Sequence, residues 1–184
     1  ENRTKVMNDG MRTSALTATF SWLRDLMLSV VIAILVILFV YQPVKVEGTS
    51  MLPRLVDQER IFVNRFIYRF ADIRRGDIVV FWYPKDPSKS FIKRVVGVPG
   101  DVIQIKDGQV YINGQLLQER YVPTGYQDLD SYAPIRVKEG FYYVLGDHRN
   151  ASNDSRSWGL VPRKYIYGKA VFRYWPVDKA GFLG

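Results

Sequence analysis

Fifteen consecutive positions, Leu26 to Val40, read LMLSVVIAILVILFV with Ser29 as the only polar member. Arg24 and Asp25 stand at one end of this run, Gln42 and Pro43 at the other. As a helix rising about 1.5 Å per residue the run reaches about 23 Å. Trp22, Leu23 and Tyr41 extend it toward the ~30 Å hydrocarbon core of a bilayer, with Arg24 able to snorkel. Leu and β-branched residues occupy every face with no polar stripe. That excludes an amphipathic surface helix and leaves a membrane span or a fully buried helix. No small-residue cleavage pattern follows Val40, so the run reads as an anchor rather than a removable leader. The 25 residues before it hold four basic and three acidic side chains, and this balance does not orient the span. The chain opens on Glu1 rather than Met, which leaves its natural start open.

Beyond Pro43 the texture changes to short apolar or alternating runs punctuated by Gly, Asn, Asp and Pro, the pattern of strands joined by tight turns. Strands are expected at Val44–Glu47, Arg60–Asn64, Gly76–Tyr83, Phe91–Val96, Asp101–Ile105, Gln109–Ile112, Ile135–Lys138, Phe141–Leu145 and Ala170–Trp175. Asp107-Gly108 and Asn113-Gly114 predict two tight hairpin turns and a three-stranded meander, and Pro123 to Pro134 an exposed loop. The organisation expected is mainly β. Residues 1–25 form an N-terminal segment, 26–41 a transmembrane helix, and 42–184 a compact antiparallel β domain with a small hairpin and loop insertion at about 98–140. With 47% hydrophobic residues in 184, the chain can bury a real core, so disorder is excluded.

The inventory of reactive groups is narrow. There is no cysteine and a single histidine, His148, which rules out disulfides, Cys-type zinc sites, thiol nucleophiles and His-rich metal sites; no metal or organic cofactor is expected. The net charge of +8 permits a nucleic-acid reading, yet no recognition helix, zinc finger or aromatic RNA-binding signature is present. A serine nucleophile using His148 as base is poorly served. Its neighbour Asp147 points to the opposite face of an extended segment and cannot orient it. The other base open to a serine is a lysine made neutral by burial. Ser50 sits in a Gly-permitted turn, Glu47-Gly48-Thr49-Ser50-Met51-Leu52-Pro53, where it either meets a substrate carbonyl or caps a short helical turn near Pro53. Lys93 shares a strand face with Phe91 and Val95. It either looks inward or leaves that place to Arg94, and either cation can pair with a carboxylate such as Asp101.

Three blocks follow the apolar run in order: Gly48-Thr49-Ser50-Met51-x-Pro53, then Lys93-Arg94-Val95-Val96-Gly97-x-Pro99-Gly100-Asp101, then Gly146-Asp147-His148-Arg149-Asn150-Ala151-Ser152-Asn153-Asp154-Ser155-Arg156-Ser157-Trp158-Gly159. In this order they closely resemble a bacterial type I signal peptidase, with Arg75-Gly76-Asp77-Ile78-Val79-Val80 adding to the match. The resemblance implies a serine endopeptidase held in the cytoplasmic membrane by a single span, its β domain on the extracytoplasmic side. Such an enzyme removes signal peptides from secreted preproteins by a Ser/Lys dyad and an acyl-enzyme, cutting after small residues of the Ala-x-Ala type. It implies Ser50 as nucleophile and Lys93 as general base, Ser152 as the hydroxyl that orients the lysine, and Asp154 and Arg156 as a charge pair bracing the loop, with Asp147 and Arg149 structural.

The family form known from Gram-negative envelopes carries a serine two residues before the nucleophile, where this chain has Gly48. The oxyanion hole is therefore expected from backbone N–H groups, those of Ser50 and Gly48. If a substrate adds a strand beside Val44 to Gly48, its alternate side chains enter shallow apolar pockets. By the resemblance Val44, Val46, Met51, Leu55 and Ile92 line them. The aromatics at Phe81-Trp82-Tyr83 and Tyr174-Trp175 suit contact with membrane lipid. The alternative from a different class is a membrane-anchored, non-catalytic β binding module in which Ser50 caps a turn and Lys93 sits in an ion pair.

Overall fold

The computed structural model describes residues 21–37 and 39–183, which fall into two compact units dividing after Val40. The first unit is a helix, α1, over residues 21–37 and 39–40. Its apolar side chains are exposed, Trp22 at 66%, Leu28 at 57% and Leu35 at 60%, so it buries none of its faces in a core of its own. Among the described residues no helix is long and apolar enough to cross a membrane. The N-terminal segment expected before the span lies, up to residue 20, outside the described residues. Tyr41, expected to close the span, instead opens the first strand, where it pairs with Asn64.

The second unit, Tyr41–Gly184, is built on two antiparallel sheets. The larger takes strands β1 (Tyr41–Lys45), β2 (Arg60–Asn64), β3 (Ile78–Tyr83), β4 (Asp86–Gly97), β9 (Phe141–Leu145), β10 (Val161–Pro162), β11 (Ile166–Trp175) and β12 (Gly181–Phe182). Its order is β1-β2-β11-β3-β4-β9-β10, with β12 on β11. The smaller, ordered β7-β6-β5-β8, holds β5 (Val102–Lys106), β6 (Gln109–Ile112), β7 (Gln115–Leu116) and β8 (Tyr132–Arg136). The second helix, α2 (Ser155–Trp158), is a single turn. The chain between Gly97 and Phe141 thus forms a sheet with a core, more than the hairpin and loop expected. Val96, Ile103, Ile105, Val110, Val137 and Leu145 are all at most 4% exposed in one cluster there. At about 1.5–3 kcal/mol for each fully buried aliphatic side chain, that cluster is a substantial part of the fold's stability.

The hairpin expectations hold in detail. Asp107 (φ 47°) and Gly108 (φ 74°) turn β5 into β6, and Asn113 (φ 52°) and Gly114 (φ 81°) turn β6 into β7. Two successive positive φ values are what a type I′ turn requires. Four strands begin earlier than expected, and in each case a punctuating residue lies inside the strand. Pro43 pairs with Phe62 on β1, which has no partner on its other edge among the described residues, so the missing N–H costs no ladder bond. Pro134 lies in β8, likewise at a sheet edge, and Pro87 in the part of β4 that pairs only with β3. Gly168 lies in β11 because nothing larger fits: a Cβ there would run into Val63 of β2.

β3 reads as an apolar run because both faces of Ile78–Phe81 are covered, while Trp82 at its end is exposed. One face packs Ile78 and Val80 with Val46, Met51, Leu55, Ile61 and Val63, beneath the segment that carries Ser50. The other packs Val79 and Phe81 with Val95, Val144 and Ile166. The register Val79↔Lys93 sets the lysine in the middle of the larger sheet.

Candidate active site

Ser50 lies on the turn that follows β1. The Leu52 N–H donates to Thr49 C=O at 3.1 Å and the Leu55 N–H to Met51 C=O at 2.9 Å, folding the chain back on itself. Its hydroxyl does not cap a helix. Lys93 Nζ, projecting from β4, donates to Ser50 Oγ at 2.6 Å and to its neighbour's carbonyl, Ile92 C=O, at 3.1 Å. Two residues 43 positions apart are thereby brought into direct contact, with the lysine turned inward. Lys93 is 4% exposed and lies 5.2 Å from the centre of the Phe91 ring. Burial lowers its pKa from 10.5 to about 8, against the opposing pull of the Asp154 and Asp147 carboxylates. About a tenth of such an amine is neutral at pH 7, against about 0.04% of an ordinary lysine.

Arg94, next on the strand, is buried too. It meets Asp147 with Nε to Oδ1 at 2.8 Å and Nη2 to Oδ2 at 2.6 Å, a bidentate pair, and donates to Gly76 C=O at 2.9 Å. Asp101 takes neither cation. It is held by Arg75 at 2.9 Å and by the Val98 N–H at 2.8 Å.

The segment 146–158 closes the rear of the site and is tied by charge-assisted bonds. Asp154, fully buried, caps α2 and accepts from the Gly146 N–H at 3.0 Å and from Arg156 Nε and Nη2, each at 2.8 Å. Arg156 also reaches Asp128 at 2.6 Å and Arg149 C=O at 2.7 Å. Arg149 is paired with Glu119 and donates to Gly146 C=O at 3.0 Å. Glu119 and Asp128, absent from the expectations, are thus the outer partners of both arginines. They lie between β7 and β8, and no local pattern marks them. Gly146 has no room for a side chain, since a Cβ would meet Ser50 C=O and Ser152 Oγ. Ser152 Oγ is buried with no hydrogen-bond partner among the described residues. The bond from Ser152 to the lysine amine that the resemblance implies is therefore not formed in this arrangement.

A cleft of about 310 Å³ opens in front of Ser50 and Lys93. One wall is Val44 to Met51, the other Ser90 to Lys93 of β4, with Val80, Tyr167 and Asn153 completing it. Both walls are strand edges: β1 has no outer partner among the described residues, and β9 joins β4 only from Arg94 onward. No group of three or more metal-ligating side chains occurs among the described residues. The chemistry available is that of a serine hydroxyl, a lowered lysine and backbone N–H groups.

A family model for signal peptidase, peptidase S26, matches residues 19–175. The chain belongs to that family. Among its relatives are a signal peptidase I of Leptolyngbya laminosa, 42% identical over 88% of this chain and 82% of the relative. Another is a signal peptidase I of Bacillus amyloliquefaciens, 37% identical over 91% and 94%. A solved signal peptidase I structure from Enterococcus faecalis V583 is 31% identical, covers 54% of this chain and 97% of that one, and has a TM-score of 0.49. Family membership makes this chain a serine peptidase of the signal peptidase I kind.

Within this signal peptidase, two expected residues stand elsewhere. The Gly48 N–H, expected in the oxyanion hole, donates to Asp57 Oδ1 at 2.7 Å and is committed there. The Ser50 N–H has no acceptor among the described residues, so it stays available beside the nucleophile, as do the N–H groups of Thr49 and Met51. Leu55, expected to line the substrate pockets, is fully buried beneath the cleft with Ile61 and Val63, because the turn after Met51 returns the chain to the core. Val44, Val46, Met51 and Ile92 do line the cleft. His148 makes no hydrogen bond to the Ser50 hydroxyl: its ring Nδ1 contacts Thr49 C=O at 3.1 Å and its backbone N–H donates to Ser50 C=O at 3.1 Å.

Proposed function

We propose that this peptidase removes signal peptides from secreted preproteins by a Ser50/Lys93 dyad, cutting after small residues, from a single-pass membrane anchor with the β domain on the extracytoplasmic side. The observation that carries the reading is the 2.6 Å contact between Ser50 Oγ and a buried lysine amine whose pKa is lowered to about 8. In the neutral form that amine accepts the Ser50 proton as Oγ attacks the scissile carbonyl. The oxyanion develops toward the Ser50 N–H. Lys93 then passes the proton to the leaving amine, releasing the C-terminal product and an ester at Ser50. A water deprotonated by the same lysine hydrolyses the ester, which frees the signal peptide and restores the hydroxyl. Asp147, Asp154, Arg156 and Ser152 frame the amine's surroundings, and no metal or organic cofactor enters.

The two open strand edges suit an extended peptide entering as an added strand, with alternate side chains directed at Val44, Val46, Met51 and Ile92. The preference for small side chains rests on family membership, with these residues as the walls they would meet. The exposed apolar surface of α1 on all sides supports the anchor.

The test is cleavage of a preprotein bearing an Ala-x-Ala site by the full chain in detergent or liposomes, beside Ser50→Ala. The parent is expected to cut after the second Ala. Its kcat/KM should rise about tenfold per pH unit below the Lys93 pKa and level off above about 8. Cleavage by Ser50→Ala at the parental rate, or a flat profile from pH 6 to 9, contradicts the dyad.

A further inference from the structure

The nucleophile's turn is anchored on both sides. After Ser50, the Gly146–Asp147–His148 segment grips it through the His148 N–H to Ser50 C=O. Before Ser50, the anchor is the turn that leads into β2. The ladder between β1 and β2 runs on past Lys45: the Val46 N–H donates to Glu59 C=O at 2.8 Å and the Gln58 N–H to Val46 C=O at 2.8 Å. Two residues further, at Gly48, the backbone has turned out of the ladder with φ +88°, a conformation open to glycine, and no main-chain acceptor meets its N–H. Asp57 supplies one from its side chain, with Oδ1 to Gly48 N at 2.7 Å, while Oδ2 accepts from Gln58 Nε2 at 2.9 Å. Gln58 itself has φ 70°, so the 56–59 turn presents the carboxylate in a specific place. The hydrogen bonds from Gln58 and Gly48 hold the Asp57 carboxyl below its usual range, so it is ionised wherever Lys93 is able to act as a base.

We propose that Asp57 is a positioning residue for the reaction: by fastening the Gly48 N–H it fixes the turn so that the Ser50 N–H, and not that of Gly48, faces the scissile carbonyl. This rests on the dyad reading above. A serine hydroxyl displaced by a fraction of an ångström loses alignment with both its base and the carbonyl, and such misplacement costs rate more than binding. Asp57 is surface-exposed and forms no hydrogen bond or ion pair with Lys93; its charge also acts on Lys45 of the cleft wall, an effect that asparagine removes while keeping the hold on the turn.

The experiment compares the full-length parent, Asp57→Ala, Asp57→Asn and Ser50→Ala in detergent, with preprotein as substrate and amide hydrogen exchange at Gly48 as a readout independent of activity. Asparagine keeps an oxygen acceptor and loses the charge. The expected result for Asp57→Ala is a fall in kcat of about 10- to 100-fold with KM nearly unchanged, and faster exchange at Gly48. Asp57→Asn should retain most of the parental kcat and the protected amide. The proposal is overturned if Asp57→Ala cuts as fast as the parent or faster, or if Asp57→Asn falls as far as Asp57→Ala. Either result with an active parent and an inert Ser50→Ala leaves the dyad standing. An inert parent, or an active Ser50→Ala, defeats the dyad reading itself and this proposal with it.

Discussion

Lys93→Met is expected to lose at least about a thousandfold in kcat/KM and yet to unfold at a higher denaturant concentration than the parent. The two effects have one cause. Burial at 4% exposure lowers the lysine pKa from 10.5 to about 8, and at neutral pH the fold carries the cost of holding a mostly protonated amine out of water. Converted at about 1.4 kcal/mol per pH unit, that cost is on the order of 3 kcal/mol. Methionine has similar length, no charge and a flexible apolar chain that tolerates the site. The gain also has a definite pH dependence. Below about 8 the lysine is protonated in folded and unfolded chains alike, and the full cost is present. Between about 8 and 10.4 the unfolded chain binds more protons, so the stability of the parent rises with pH, and above that range the cost is gone. The difference between variant and parent should be largest near neutrality and close by about pH 10.5. Denaturant melts across pH check this, and a Lys93→Met variant less stable than the parent at pH 7 contradicts it.

Asp154→Ala is expected to be the most damaging single truncation around the site, costing about 3–5 kcal/mol, the usual result of stripping one partner from a buried ion pair. Asp154 is fully buried and does three things at once. It caps α2, satisfies the Gly146 N–H at 3.0 Å and holds Arg156 through two bonds of 2.8 Å. Its loss leaves the guanidinium, whose side chain is only 5% exposed, with Asp128 as its remaining carboxylate. Asp154→Asn keeps the cap acceptor and should fall between the two. The same carboxylate raises the Lys93 pKa, so variants that fold should shift the acid limb of the activity profile to lower pH. Equilibrium unfolding measures the first effect. A loss below about 1 kcal/mol would place the pair with ordinary surface ion pairs instead.

What could be read from the chain, and what could not, divides along sequence distance. Ser50 and Lys93 were legible as candidates because glycine-containing turns and a lysine within an apolar strand are local patterns, and the three ordered blocks added the family. The DG and NG turns were legible for the same reason, since positive φ is a property of two adjacent residues. The strand starts at Tyr41, Asp86 and Tyr132, ahead of Pro43, Pro87 and Pro134, were hidden, because whether a proline interrupts a strand depends on whether the edge is free, a fact of sheet order. Gly168 was hidden for a related reason, the close approach of Val63 across β11 and β2. The partners of the site arginines, Glu119 and Asp128, come from 30 and 28 residues away. Nothing in the local sequence marks either carboxylate as an arginine partner. The Gly48 N–H is expected in the oxyanion hole because Gly48 replaces the serine that relatives carry there, and only the fold shows that Asp57 already holds it.

The dyad requires an amine beside Ser50 that is neutral in an appreciable fraction of molecules at a pH where an ordinary lysine is almost wholly charged. The most direct measurement is an NMR titration of the Lys93 side chain in the full chain with labelled lysine, assigned by loss of the signal in Lys93→Met. A midpoint near 8 is the predicted result. A midpoint at the ordinary value of about 10.4 would contradict the dyad, because the amine would then be too rarely neutral to take the proton from Ser50.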